Sequence, residues 1–239
     1  MPPFDPREAL VDALRRHAPG DEPEAHDRDR ILAFVLHHEH PFDRAILEGH
    51  LTGSAITVSA DGSCVLLLHH RKLDRWLQPG GHGDPGETTG EEVALREALE
   101  ESGIRGLALH ATAKHPLDVD VHDIPARGRE PAHEHLDLRY LVVAPPDAVV
   151  SPDLAELHEI RWVPWDEVDP LSPDHGLRRA LAKARAIVQG LGTPTDRRLP
   201  PGKASVKACS SAGASSRRAT RNPPGLRVPR APSNRSPSG

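Results

Sequence analysis

Apolar residues recur at helical spacing at Leu10, Val11 and Leu14, and again at Ile31, Leu32, Phe34 and Val35. At about 3.6 residues per turn each set falls on one face, which predicts helices over 7–16 and 27–38. The pattern then changes. Residues 54–59 and 64–69 are short runs of strand-forming character, and Asp61-Gly62 between them is a strong hairpin signal. A Pro/Gly-rich stretch over 78–86 reads as a loop and leads into a helix that ends at Ser102. Further strands are predicted at 107–112, 117–122, 136–144 and 159–163. Leu177, Leu181, Ala184 and Val188 predict a closing helix over 176–189. The succession is one of α and β elements with no internal repeat.

Composition divides the chain in two. The 239 residues carry a net charge of −5, but residues 1–190 hold 20 basic and 34 acidic side chains, a net −14. Residues 191–239 hold ten basic side chains and the single acid Asp196, a net +9. That segment has no aromatic residue and is crowded with Pro, Ser, Gly and Arg, so it cannot bury enough apolar surface to offset the entropy of ordering. It is predicted to be a disordered tail. A basic tail suits nucleic acid or an acidic partner, yet no aromatics interleave with its charges. The favoured reading is a solvated extension with no selected role, and nucleic acid is not expected as a partner. The body is long enough to bury a core without staples. Cys64 and Cys209 form no CxxC pair, which excludes a disulfide scaffold or a four-cysteine zinc site. The apolar runs 64–68 and 140–144 are too short to cross a bilayer. Asp5, Arg7, Glu8 and Asp12 stand where a signal peptide needs apolar residues. A soluble, cytoplasmic protein with no membrane partner is expected.

The chemistry concentrates in the stretch that begins Gly80-Gly81-His82-Gly83-Asp84-Pro85-Gly86-Glu87 and ends Arg96-Glu97-Ala98-Leu99-Glu100-Glu101-Ser102-Gly103-Ile104. Thr88 with Glu91, or Thr89 with Glu92, suits a capping box at the helix start, and Gly103 suits the residue beyond its end. At about 100° per residue, Glu97, Glu100 and Glu101 fall on one face, opposite Leu95, Ala98, Leu99 and Ser102. That acidic face repels itself at i,i+3 and i,i+4, and it opposes the negative end of the helix dipole. A hard cation such as Mg²⁺ or Mn²⁺ would relieve both penalties. The helix alone leaves this reading level with a solvated acidic face whose partial counterion is Arg96.

The whole stretch resembles the Nudix box, the signature of the Nudix hydrolases: Gly, five residues, Glu, seven residues, then Arg-Glu-apolar-x-Glu-Glu-x-Gly-apolar. Gly81 and Glu87 match the first half, and Arg96 to Ile104 match the second. The departure is one extra residue, since eight separate Glu87 from Arg96. The resemblance implies an α/β fold, the Nudix-type α/β/α sandwich with a mixed sheet. It implies a water attack on phosphorus in a diphosphate linkage, assisted by Mg²⁺ or Mn²⁺. Carried onto this chain, Glu97 and Glu101 are the expected metal ligands, with Glu100 close behind and the Gly81 carbonyl completing the shell. Arg96 is expected to orient carboxylates, above all Glu87. The general base is expected to be Glu97 or an acid outside the box, with Glu130, Glu134, Glu156 and Glu159 as candidates.

Outside the box the signals are weaker. His82 follows the Gly-Gly turn and suits a phosphate contact. His133, His135, Asp137 and Arg139 alternate along a predicted strand, which puts all four on one sheet face. His135, Asp137 and Arg139 are therefore candidate substrate-cleft residues, Arg139 as a phosphate contact; the competing reading is an exposed sheet face. A zinc site from His133 and His135 is less favoured, because no thiolate or third histidine has a fixed spacing to them. His37, His38 and His40 read as a solvated helix end, and Trp76, Trp162 and Trp165 as core or sheet-edge packing. The expected division is an N-terminal helical extension over 1–50, the catalytic domain over 51–170, a packed C-terminal helix over 171–190 and the tail. The expected substrate is a small phosphorylated molecule, a nucleoside diphosphate linked to another group. The alternatives are a non-nucleoside diphosphate, such as an inositol or isoprenoid pyrophosphate, and a nucleotide-sensing module without catalysis.

Overall fold

The computed structural model describes residues 4–128, 131–152 and 157–190. The predicted basic tail lies outside them. Two helices come first, α1 (Pro6–Arg16) and α2 (Glu22–His37), capped by the side chains of Asp5 and Asp21. Strands β1 (Gly49–Val58), β2 (Cys64–His70), β3 (Arg75–Leu77) and β4 (Gly80–His82) precede α3 (Gly90–Ser102). Then follow β5 (Ala108–Leu109), β6 (Asp118–Ile124), β7 (His133–Val143), β8 (Leu157–Pro164), a short 3₁₀ turn and α4 (His175–Val188).

The strands form one mixed sheet. Its spine is the order β3-β2-β1-β7-β5, with β4 paired to β1, β6 to β7 and β8 to β2. β1 and β7 run parallel along ten residue pairs, from Gly49 opposite Glu134 to Val58 opposite Val143. The other pairings are antiparallel. Asp61-Gly62 turns β1 into β2, with Gly62 at φ 69°. One expected loop is partly strand: Gly80–His82 pairs with Thr52, Gly53 and Ser54 of β1. Three residues, two of them glycine, leave no alternation from which a strand could be read.

Side-chain alternation sorts the sheet into two faces. Leu51, Ala55, Leu136, Leu138 and Tyr140 join Val93, Ala94 and Ala98 of α3, together with Val11, Leu14, Ile31 and Val35 of α1 and α2. Ile56, Val58, Val65 and Leu141 face the other way and join Leu177, Ala180, Leu181 and Ala184 of α4. The result is helix, sheet, helix, and residues 6–37 share a core with the sheet. Gly53 allows α3 to lie close on β1: a Cβ there would stand 2.6 Å from the Gly90 carbonyl oxygen and 2.8 Å from the Val93 Cβ. Among the described residues no helix is long and apolar enough to cross a membrane.

Candidate active site

The entrance of α3 fixes the site. Thr89 is the N-cap and accepts from the Glu92 N–H at 3.4 Å, while the Glu92 carboxylate accepts from the Thr88 N–H at 3.3 Å. The helix ends at Gly103, which is left-handed at φ 69° and donates its N–H to the Leu99 carbonyl at 2.7 Å. Between those caps the register of Arg96 to Ser102 is set by the buried stripe Val93, Ala94, Ala98 and Ser102. Just before the segment that carries the extra residue, a turn is closed by the Glu87 N–H, which donates to the Asp84 carbonyl at 3.0 Å. The Glu87 carboxylate in turn accepts from the Asp84 N–H at 2.7 Å.

Arg96 is the centre of the arrangement. Its Nε and Nη2 grip the two oxygens of Glu87 at 2.9 and 3.0 Å. Its Nη1 donates to Glu97 at 3.0 Å and to Glu100 at 3.2 Å, and Nη2 also donates to the His82 carbonyl at 2.6 Å. Asp84 stands 3.6 Å from Nε. Burial works against the Glu87 charge, but the hydrogen bonds from Arg96 and from the Asp84 N–H hold its carboxyl below the ordinary value. Burial raises the Glu97 carboxyl; Arg96 opposes the rise, and Glu100 and Asp84 add to it. Glu101 accepts from the Gly80 N–H at 3.0 Å. Gly81 lies against Glu97, so that a Cβ at Gly81 would occupy the space of the carboxylate.

The structure thus brings together Gly81, Glu87, Arg96, Glu97 and Glu100, and the carboxylate of Glu101, also on α3, meets the same strand one residue away at the Gly80 N–H. Asp84, a loop acid within the motif to which the spacing assigns no role, joins them. The oxygen-only set of Glu97, Glu100, Glu101 and the Gly81 carbonyl suits a hard divalent cation in its chemistry. Its carboxylates turn to Arg96 and to the Gly80 N–H, and among the described residues the three side chains with clustered ligand atoms are His50, His133 and His135 instead. Of the base candidates, Glu130 and Glu156 lie outside the described residues. Glu134 is engaged by Arg30. Glu159 sits on β8 opposite His69, 3.6 Å from Arg161.

The expected cleft residues separate into two groups. His135, Asp137 and Arg139 do share a face, opposite His50, Thr52 and Ser54 of β1. Asp137 and Arg139, however, are 2% and 3% exposed. All three guanidinium nitrogens of Arg139 are engaged: Nε with Asp137 at 3.1 Å, Nη1 with Asp118 at 3.1 Å and Nη2 with Asp120 at 3.0 Å. Thr52 and Ser54 donate to the Asp137 carboxylate at 3.0 and 2.8 Å. Arg179 of α4 shares Asp118 at 2.8 Å, and Lys183 reaches Glu24 of α2. Arg139 is thereby the counterion at the centre of a buried network and not part of an exposed sheet face, and the expected phosphate contact would have to compete with these three carboxylates. The alternation of β7 gives the face but not the helices that cover it.

His82 and His135 do meet, Nε2 to Nε2 at 3.0 Å. Burial lowers His82 to about 4, helped by the charge of Arg44. Burial and the surrounding imidazoles lower His135 to about 2. Beside the box, a cavity of about 840 Å³ opens between the start of α1, residues 39–44 and residues 83–88. Its lining includes Leu10, Pro41, Phe42 and Arg44 on one side and Asp84 and Glu87 on the other.

The sequence model of the NUDIX domain family matches residues 50–184. A Mycobacterium tuberculosis protein carrying the name mutator protein MutT4 is 31% identical over 126 residues, 53% of this chain and 47% of that protein. A Bacillus subtilis protein carrying the name 8-oxo-dGTP diphosphatase is 41% identical over 51 residues, 21% of this chain and 34% of that protein. The matched stretches thus span less than half the length of either relative. Among solved structures, a Caenorhabditis elegans Ap4A hydrolase in a binary complex matches with TM-score 0.42 and 20% identity over 59% of this chain and 98% of that one. A NUDIX-family hydrolase from Clostridium perfringens matches with TM-score 0.46 and 23% identity over 59% and 97%.

Proposed function

Because this chain belongs to the Nudix family, we propose that it is a divalent-metal-dependent pyrophosphohydrolase, which cleaves a diphosphate linkage in a nucleoside diphosphate joined to another group. The observation that carries this reading is Arg96, which gathers Glu87, Glu97 and Glu100 against the strand that bears Gly81. A merely solvated acidic face would leave Glu87 and Glu97 as open as Glu100, whose side chain is 57% exposed against 17% for each of them. Instead a half-buried guanidinium fixes them, with a geometry that a lysine cannot reproduce.

In this reading Glu97 and Glu101 hold Mg²⁺ or Mn²⁺, with Glu100 and the Gly81 carbonyl beside them. When bound, the ion neutralises phosphate oxygens and lowers the pKa of a coordinated water. Arg96 keeps Glu97 and Glu100 aligned and, through Glu87, ties the loop to the helix. The proton of the attacking water goes to a carboxylate, Glu97 or the loop acid Asp84. Such base catalysis contributes on the order of 10²–10⁴-fold. The cavity beside Glu87 is of the size that takes a small ligand. Phe42 and Pro41 offer it an apolar wall for a base, and Arg44 a positive charge for phosphate. The name of the Bacillus subtilis relative supports a nucleotide over an inositol or isoprenoid pyrophosphate.

The test is a phosphate-release screen with Mg²⁺ or Mn²⁺ across nucleoside triphosphates, sugar nucleotides, ADP-ribose, dinucleotides and inositol and isoprenoid pyrophosphates. Turnover confined to nucleotides supports the proposal. Turnover of the non-nucleoside diphosphates alone moves the substrate class, and no turnover in any arm leaves a nucleotide sensor.

A further inference from the structure

Five histidines from four strands converge on the sheet face opposite α3. His50 lies directly across the parallel β1–β7 ladder from His135, and His122 lies across from His135 in the β6–β7 ladder. His133 precedes His135 by two residues and so shares its face. His82 enters from β4, opposite Thr52. The His50 ring centre is 5.0 Å from that of His82, 5.0 Å from that of His133 and 5.1 Å from that of His135. One ligand atom from each of His50, His133 and His135 falls within 4.8 Å of the other two.

We propose that His50, His133 and His135 form a binding site for a late first-row divalent cation, Zn²⁺ foremost, separate in residues and in donor chemistry from the carboxylate site on α3. Imidazole nitrogen suits zinc, whereas Mg²⁺ and Mn²⁺ take oxygen. Three histidines are a known complement for zinc, which binds each nitrogen at about 2.0–2.1 Å. The spacing comes from the rigid sheet, with two donors on one strand and the third on its paired neighbour, so modest side-chain rotation draws the nitrogens onto one ion. His133 has the tautomer of a ligand. Its Nδ1 lies 3.0 Å from the Pro131 carbonyl oxygen, which can only accept. Nδ1 therefore carries the hydrogen and Nε2 the lone pair, the arrangement by which a carbonyl fixes the tautomer of a metal-bound imidazole.

Burial favours the same conclusion. His50 is 2% and His133 9% exposed, while His135 and His82 are partly open and give an ion its way in. His82, with Nε2 3.0 Å from that of His135, is placed to supply a fourth nitrogen. Its main-chain carbonyl is also the one that Arg96 holds. An ion here would therefore brace β4, the strand on which Gly81 sits.

The full-length chain, stripped with EDTA and dialysed, is titrated with ZnCl₂ by calorimetry, and its thermal midpoint is read with and without Zn²⁺. One equivalent binding at submicromolar Kd, with a raised midpoint, is expected, since a ligand of the native state stabilises it. Co²⁺ in place of Zn²⁺ should give the visible bands of a four-coordinate, nitrogen-ligated ion. His133→Gln and His135→Asn should each weaken Zn²⁺ binding by roughly 100-fold, given unchanged circular dichroism of the metal-free proteins. The Glu97→Gln, Glu101→Gln double variant should bind Zn²⁺ as the wild type does. The proposal is overturned by wild-type binding weaker than about 10 µM, by Zn²⁺ affinity that survives His133→Gln, or by affinity lost in the double glutamate variant. Should both histidine variants misfold, the wild-type Co²⁺ spectrum decides: octahedral oxygen-type bands overturn the site.

Discussion

Arg96 and Glu87 are joined by two parallel hydrogen bonds, Nε to Oε1 at 2.9 Å and Nη2 to Oε2 at 3.0 Å, across eight intervening residues. The pair closes although the segment is one residue longer than the box prescribes. A bidentate pair of this kind demands a planar fork. Arg96→Lys should keep the charge, lose the fork and lower kcat/KM by about 10–100-fold, the equivalent of ~1.5–3 kcal/mol for hydrogen bonds between charged groups. The thermal midpoint should move by only a few degrees. Steady-state kinetics beside a melting curve check both halves, and an unchanged kcat/KM would remove Arg96 from the catalytic arrangement.

Arg139 offers a contrast between two roles. As a phosphate contact it would matter to turnover; as the counterion of Asp118, Asp120 and Asp137 it matters to folding. Arg139→Met leaves the buried carboxylates of Asp118 and Asp137 and the half-buried one of Asp120 without that partner and should cost about 3–5 kcal/mol of stability. Arg15→Ala, which breaks an exposed pair 3.8 Å long with Asp12, should cost about 0–1 kcal/mol. Urea unfolding of both variants tests this; a stable Arg139→Met protein with reduced kcat/KM would restore the phosphate role.

The same network sets an acid limit. Burial opposes ionisation of Asp120, yet the His122 hydrogen bond and the charge of Arg139 hold its carboxyl down at about 2, below the ordinary 3.8. A carboxyl depressed on folding stabilises the native state above its unfolded value, and that stability disappears as pH falls through the folded one. Stability should therefore drop between pH 4 and pH 2. Asp120→Asn should remove on the order of 2 kcal/mol of that slope. Denaturant midpoints across this window measure it, and identical slopes for variant and wild type would contradict the assignment.

Gly53 tests the fit of helix to sheet. A methyl group there meets the Gly90 carbonyl oxygen at 2.6 Å, and a helix backbone cannot yield as a flexible side chain can. Gly53→Ala should destabilise by about 1–3 kcal/mol. A change within ~0.5 kcal/mol in urea unfolding would show that α3 has slack against β1.

What the sequence made legible follows from the range of its signals. The helical half of the box is written locally, in Arg96 to Ile104, so its acidic face and its caps were readable from spacing alone. The same holds for Asp61-Gly62 and for the alternation of β7. Long-range register leaves no such mark. Nothing near His50 points to His135, 85 positions further on, and only the parallel β1–β7 ladder brings the third imidazole that a spacing rule could not supply. The enclosure of Arg139 was hidden for the same reason, since Asp118, Asp120, Arg179 and Glu24 come from three other elements. Asp84 carries no signal of its own within the motif, because a loop acid next to Pro and Gly is an ordinary turn residue.

The central claim is that the α3 carboxylates hold a divalent ion for hydrolysis of a diphosphate linkage. It is tested most directly by the initial rate of phosphate or nucleotide release by wild type and Glu101→Gln, on the best substrate of the screen, over a titration of Mg²⁺ and Mn²⁺. Wild-type turnover should require the metal and vanish with EDTA. Glu101→Gln should lose most of that turnover, on the order of 10²-fold or more, while its circular dichroism and melting remain those of the wild type. A well-folded Glu101→Gln protein with wild-type rate and metal dependence would contradict the assignment of Glu101, and metal-independent wild-type hydrolysis would contradict the account as a whole.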